Sequence, residues 1–183
     1  VTIVTCGLMI GSAVRADFIL GGPVSLGTLV NSEFPDSNPE VATDGLELYF
    51  DSRREGGHGQ SDIWRATRAS TEDEWGEPVN LGLSINHPGR DEGPSISADG
   101  LSLYFTSAGA GLDLFMSTRA TREDEWGEPI NLGVLVNCGM ADSSPEISSS
   151  GLELYFASWR SQSSISIYVS TDRKSTRLNS SHY

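Results

Sequence analysis

One unit occurs three times in this 183-residue chain. Pro39 to Phe50, Pro94 to Phe105 and Pro145 to Phe156 share one pattern: Pro, any residue, Val or Ile, a four-residue turn ending in Gly, then Leu-x-Leu-Tyr-Phe. A supersecondary unit that recurs about every 50 residues is too small to bury both of its faces, so it must stack on its neighbours. The repetition constrains the architecture far more than it constrains any chemistry.

Each copy reads as four short strands. The first is the Pro-led run, as in Pro94 to Ser97. Asp99-Gly100 then makes a tight turn, in which Asp supplies local hydrogen bonds and Gly accepts positive φ. The second strand, Leu101 to Ser107, alternates faces: Leu101, Leu103 and Phe105 on one, Ser102 and Tyr104 on the other. The third is Asp62 to Arg68, Asp113 to Arg119 and Ser166 to Thr171. The fourth, after a polar loop, is Glu77 to Leu81 and Glu128 to Leu132. Trp75 and Trp126 are 51 residues apart, whereas Pro39 and Pro94 are 55 apart. Copy one spends the difference on Arg54 to Gln60, a glycine-rich hairpin tip of the kind that varies on a surface.

The segment that follows each fourth strand keeps its length. Pro78 to Pro94 and Pro129 to Pro145 both span 16 residues, and so does Pro23 to Pro39. Gly22 to Asn31 matches Glu77 to Asn86, so the chain carries an orphan outer strand at 22–27 with no first three strands before it. Such an offset is expected of a ring closed by exchanging one strand between its ends, which removes open sheet edges.

The pattern Pro-x-(Ile/Val)-Ser-x-Asp-Gly-Leu-x-Leu-Tyr-Phe-x-Ser, followed by Asp62-Ile63-Trp64 or Asp113-Leu114-Phe115 and then Thr-Arg, resembles the WD40-like β-propeller repeat of TolB-type proteins over about Gly21 to Arg173. The resemblance implies an all-β propeller of four-stranded blades, secreted or periplasmic, used mainly as a binding platform. Propellers have about four to eight blades. The expectation here is about three, an incomplete ring with blades at 39–82, 94–133 and 145–173.

The two ends read differently from the repeat. Val1 to Ala13 is mostly apolar, and Val14-Arg15-Ala16 places small residues at the cleavage positions, so 1–16 reads as the remnant of a signal peptide. The alternative is a buried first strand. Cys6 has Thr5 before it, which is wrong for lipid attachment. After Thr171 the repeat motif stops, and 174–183 is a polar, basic stretch read as a non-native or disordered tail. Apart from the first residues, no apolar run approaches the roughly 20 needed for a membrane helix, so the expected address is periplasmic or extracellular with no membrane span. The net charge of −13 excludes a phosphate-tracking nucleic-acid binder. Cys6 and Cys138 build no disulfide framework.

Candidate chemistry is sparse. Glu72-Asp73-Glu74 with Glu77, and Glu123-Asp124-Glu125 with Glu128, have carboxylates enough for Ca²⁺. Adjacent acids in a loop point different ways, however, and Trp75 or Trp126 reads as a plug anchoring each loop. Asp36, Asp91 and Asp142 lie three residues before the repeat prolines. They read as turn caps, with a ligand ring about the central channel as the alternative. The turn Ser97-Ala98-Asp99-Gly100 is similar to the Asp-box of sialidases but lacks its spacing and its Trp, and nothing in the sequence gathers Arg53, Arg90 and Arg160. No Gly-x-Ser-x-Gly elbow is present. His58, His87 and His182 have no metal-ligand spacing. Trp64, Phe115 and Tyr168 are equivalent and read as packing. Trp159 is unmatched in the other copies and could stack on a sugar or peptide.

No catalytic, cofactor-binding or metal-binding residue is therefore assigned, and no cofactor is expected. The reading is a non-catalytic propeller scaffold that binds a protein, peptide or glycan ligand, with self-association through open blade edges. The alternative is a fragment of a propeller-based carbohydrate-active enzyme, a hydrolase or lyase.

Overall fold

A computed structural model describes residues 21–109, 111–161 and 163–172. The expected signal segment 1–16 and tail 174–183, with Cys6 and His182, lie outside them. Three antiparallel sheets follow one another along the chain. The first holds β1 (Asp36–Val41), β2 (Glu47–Ser52), β3 (Asp62–Thr67) and β4 (Val79–Asn80). The second holds β5 (Asp91–Ile96), β6 (Ser102–Ala108), β7 (Leu112–Thr118) and β8 (Ile130–Asn131). The third holds β9 (Asp142–Ile147), β10 (Glu153–Ser158) and β11 (Ser166–Thr171). Each sheet is a meander in sequence order, and β1, β5 and β9 lie side by side at the inner rim. These are propeller blades, and together they form an incomplete ring.

Three local features differ from the expected strands. The inner strands start at the Asp, three residues before the Pro, because a bulge lies between them: the pairing shifts between Ser37 and Glu40 and between Glu92 and Ser95. The bulged residue takes positive φ in all three copies, at Asn38 (50°), Gly93 (62°) and Ser144 (54°). The outer strands β4 and β8 are only two residues long. Finally, the orphan strand at 22–27 is not a strand. Residues 21–26 have no regular structure, and Gly27–Val30 forms one helical turn, α1. The physical reason is visible in β4, which exists by pairing Asn80 with Trp64 and Val79 with Arg65. Among the described residues no third strand lies beside residues 24 and 25 to supply those bonds.

The repeat equivalence nevertheless holds through this segment. Gly27, Gly82 and Gly133 all have φ between 73° and 80°, and each starts the same tight turn, closed by the Asn31, Asn86 or Asn137 N–H on the glycine carbonyl.

Packing between blades follows one rule. The face of blade one that carries Tyr49 and Ile63 meets Leu103, Phe105 and Ile96 of blade two. The equivalent face of blade two, with Tyr104 and Leu114, meets Leu154, Phe156 and Ile147 of blade three. Each seam is sealed by one residue from the turn that leads into the next blade, Ile85 or Val136. Full burial of such a side chain contributes about 1.5–3 kcal/mol, so the seams are the main source of cohesion. Val30 occupies the same position over Leu48, Phe50 and Trp64 of blade one.

Polar bonds cross the seams as well. Gly93 N–H donates to Asp51 Oδ1 at 3.0 Å, Ser144 N–H to Thr106 Oγ1 at 3.1 Å, and Ile147 N–H to Ser95 Oγ at 3.0 Å.

Candidate functional site

The inner strands converge on a cleft of about 200 Å³ at the axis. The bulges place Pro39, Pro94 and Pro145 around it, with Glu40, Glu146 and Ser144 among its walls. Glu40 is half-buried and Glu146 exposed. Burial pushes the Glu40 carboxyl above its ordinary range, the Glu146 charge pushes the same way, and the Ile96 N–H opposes them. Two carboxylates repelling each other beside three rigid pyrrolidine rings make a mildly anionic, preformed opening.

Asp36, Asp91 and Asp142 do not line this cleft. Each turns back to cap the loop before its strand, accepting from Ser32 N–H (2.7 Å), His87 N–H (2.7 Å) and Cys138 N–H (2.8 Å) respectively. The capping role is the one found, and the ligand-ring alternative is not. In blades one and three an arginine completes the cap. Arg54 Nη2 reaches Asp36 Oδ1 at 2.8 Å and the Val30 carbonyl, and Arg160 Nη2 reaches Asp142 Oδ1 at 3.0 Å and the Val136 carbonyl at 2.5 Å. The same guanidinium lies over Phe50 and Trp64, or over Phe156 and Tyr168, at 4.5–5.2 Å. Blade two has Gly109 at this place in the sequence, so the stacked pair Phe105–Phe115 has no arginine over it and Asp91 Oδ1 is buried without a hydrogen-bond partner.

The three equivalent carboxyls consequently titrate differently. Burial raises Asp36 and Asp142, but bonds from Ser52 and Arg54, or from Ser158, Cys138 and Arg160, outweigh it and leave both low. At Asp91 burial wins over Ser107 and His87, and the carboxyl is raised. A lowered carboxyl stabilises the fold above the unfolded value of 3.8, and that stability is lost as pH falls through the folded pKa. A raised one has the opposite sign: its stability is present below 3.8 and lost as pH rises through the folded pKa. Replacing Asp142 by Asn should therefore cost about 1.5–3 kcal/mol at neutral pH. Replacing Asp91 by Asn should give no loss and a gain of about 0.5–1 kcal/mol, which vanishes toward pH 4. Urea denaturation across pH 4–8 measures both, and equal losses at the two sites would refute the assignment.

A second arginine set holds the acidic loops. Arg68 Nε donates to the Gly45 carbonyl at 2.7 Å and Arg119 Nε to that of Gly100 at 2.8 Å. Each stacks on the tryptophan of its loop, Trp75 at 4.3 Å or Trp126 at 4.5 Å. The tryptophans are the plugs expected of them. Asp73 accepts from Ser70 Oγ at 2.8 Å and Asp124 from Thr121 N–H at 2.9 Å, so these two acids cap their own turns. Glu72, Glu74, Glu77, Glu123, Glu125 and Glu128 are exposed. Among the described residues no three His, Cys, Asp or Glu side chains are grouped to hold a metal ion.

Other sequence candidates are dispersed. Arg90 faces Glu92 on blade two at 3.9 Å, Arg160 holds Asp142 on blade three, and Arg53 is exposed on blade one. His58 and His87 bond through their backbone N–H groups to Asp62 and Asp91. Trp159 is 42% exposed at the end of β10. Cys138 is a free thiol near Asp142 and Ser158.

Sequence reasoning missed a buried pair, Asn86 and Asn137. Each clamps the matching residue of the third strand in the preceding blade: Asn86 Oδ1 accepts from Ile63 N–H at 2.8 Å while its Nδ2 donates to Ile63 O at 3.0 Å, and Asn137 does the same with Leu114 at 2.9 and 3.0 Å. The signal was present as the recurring spacing Asn80–Asn86 and Asn131–Asn137, since the earlier Asn accepts from the later at 2.9 or 2.8 Å.

No family model matches the chain, and no curated protein does. Solved structures do. A TolB structure from Agrobacterium tumefaciens superposes with a TM-score of 0.54 at 16% identity, over 73% of this chain and 42% of that one. TolB from Acinetobacter baumannii gives 0.59 at 17% identity, over 79% of this chain and 32% of that one. The chain thus spans less than half of either protein, and at these identities the likeness is one of fold.

Proposed function

We propose that this TolB-like propeller is a non-catalytic scaffold, secreted or periplasmic, that binds a protein, peptide or glycan ligand at the axial cleft. The observation that carries the reading is the convergence of Pro39, Pro94 and Pro145 with the Glu40 and Glu146 carboxylates on one opening. Rigid walls lower the ordering cost of binding. The paired carboxylates favour a ligand that presents a cation, such as a Lys or Arg side chain, because it relieves their mutual repulsion. No helix among the described residues is long and apolar enough to cross a membrane.

The test is an array of peptides and glycans probed with the full chain, followed by titration calorimetry on the strongest binder. Binders should be enriched in cationic groups. Glu146→Gln, at an exposed position, should weaken binding about tenfold, the equivalent of one charge-assisted hydrogen bond. Affinity should also fall as pH drops through the raised Glu40 pKa. Binding that is indifferent to both charge and Glu146 would overturn the reading.

A further inference from the structure

Each inner strand opens on an aspartate, and blade two lacks the cation that the other two supply to it. Arg54 and Arg160 stand four residues after Phe50 and Phe156 and hold Asp36 and Asp142 at 2.8 and 3.0 Å. The residue four after Phe105 is Gly109. Asp91 is 0% exposed, and its Oδ1 has no hydrogen-bond partner among the described residues. A buried carboxylate in that state is costly when ionised.

A second residue changes with it. The turn that each aspartate caps presents one backbone N–H, from Ser32 in blade one, Cys138 in blade three and His87 in blade two. The imidazole Nδ1 of His87 lies 3.8 Å from Asp91 Oδ1, the oxygen that the arginine holds in the other blades. The ring is 49% exposed, so it is free to turn and to exchange a proton with water. The other charged groups around it are committed. Asp62 of β3 accepts from the His58 and Gly59 N–H groups and from Asn80 Nδ2 at 2.5–2.9 Å, and its charge acts against an ionised Asp91. Arg90 faces Glu92 at 3.9 Å, and Arg54 is spent on Asp36.

The same turn is fastened to blade one. Asp91 N–H donates to the Ser61 carbonyl at 2.8 Å, Gln60 N–H donates to the Gly89 carbonyl at 2.7 Å, and Ser61 forms a parallel bridge with Arg90. The strand that starts here, β5, carries Gly93 and Pro94 to the axial cleft.

We infer that His87 is a proton-operated substitute for the missing arginine. As an imidazolium it closes on Asp91 Oδ1 and locks the turn at 87–91, and with it the seam between blades one and two. The neutral ring leaves the carboxylate uncompensated. Histidine is the side chain whose charge changes between about pH 5 and 8. An imidazolium that gains a carboxylate on folding contributes stability that is present in acid and lost as pH rises. Asp91 sets the lower limit, because the pair is gone once its carboxyl takes up a proton. The lock is therefore closed in a mildly acidic window and open above neutral pH.

The experiment is a double-mutant cycle of His87→Gln and Asp91→Asn in the full chain, followed by urea unfolding at pH 5.5 and pH 8. Glutamine keeps the backbone N–H that caps Asp91, so only the ring is removed. The two sites should be coupled about fivefold in the unfolding equilibrium at pH 5.5 and uncoupled at pH 8. Amide exchange at position 91 reads the seam itself: His87→Gln should lose protection relative to the parent chain at pH 5.5 and match it at pH 8. Gly109→Arg supplies the arginine of the other blades, at a position where a Cβ meets nothing within 4 Å and the backbone is outside the left-handed region. In that background the coupling at pH 5.5 should disappear. Coupling that is equal at the two pH values, absent at pH 5.5, or unchanged by Gly109→Arg would overturn the inference.

Discussion

Arg119→Met should destabilise the protein by about 3–5 kcal/mol, the cost of breaking a buried ion pair from one side. The Arg119 side chain is 0% exposed and binds Glu47 Oε2 at 2.7 Å across the seam between blades one and two. The same guanidinium donates to the Gly100 and Arg122 carbonyls at 2.8 and 2.7 Å. Methionine keeps most of the apolar stem over Trp126 but removes every donor. Glu47, with only 8% of its side chain exposed, is left with Arg65 at 3.4 Å and Arg122 at 3.9 Å, neither as close as the lost partner. A domain of this kind has about 5–15 kcal/mol in total, so the loss is a large share of it. The thermal midpoint should fall by about 6–20 °C. Glu47→Gln with Arg119→Met should recover part of the loss, because the uncompensated charge is gone. A single-variant loss below about 1 kcal/mol, measured by urea unfolding, would show that the seam does not depend on this pair.

The repeat made the blades legible because its apolar residues follow two rules at once. Leu48 and Phe50 alternate with Tyr49 along one strand, which fixes which face points to which neighbour, and the recurrence of the pattern fixes that the neighbours are alike. The turns before the second strands were legible for a local reason, since Gly45, Gly100 and Gly151 take φ of 69–76° that other residues adopt at a cost. The inner strand was misjudged at its start. A bulge is a property of pairing, and nothing in Ser37-Asn38 alone shows that the partner strand advances by fewer residues. The expected strand at Gly22–Gly27 failed for a related reason: composition matched β4, but a two-residue outer strand is held by its partner and not by its own propensity.

The polar framework was less legible still. Arg54 and Arg160 stand at matching places, four residues after Phe50 and Phe156, but Gly109 at that place in blade two hides the recurrence; both reach the equivalent Asp and the equivalent turn carbonyl. Their absence in blade two, where Gly109 stands, is what leaves Asp91 raised. The axial cleft was not legible because its walls come from three copies, and only the curvature of the assembled sheets brings Glu40 to Glu146.

Asn86 carries the sharpest energetic consequence of that hidden framework. It is 0% exposed, and its amide satisfies both the N–H and the C=O of Ile63 at the point where blade one hands over to blade two. The Ile63 carbonyl keeps a second donor, Leu81 N–H at 3.2 Å, but the Ile63 N–H has no substitute. Asn86→Ala should cost about 3 kcal/mol, combining an unsatisfied buried donor with a cavity beneath Ile85. Asn86→Asp separates the two halves of the clamp. The carboxylate still accepts from Ile63 N–H, but it faces the Ile63 and Asn80 oxygens where the amide donated, and it buries a charge. It should be at least as damaging as alanine at neutral pH and should recover stability in acid, where the protonated carboxyl can donate. Asn137→Ala should match Asn86→Ala to within about 0.5 kcal/mol, since its bonds to Leu114 are the same. Amide exchange at Ile63 and Leu114, alongside urea unfolding, reads each clamp separately. If Asn86→Ala leaves Ile63 protected, the turn is held by its backbone alone and the asparagine is incidental.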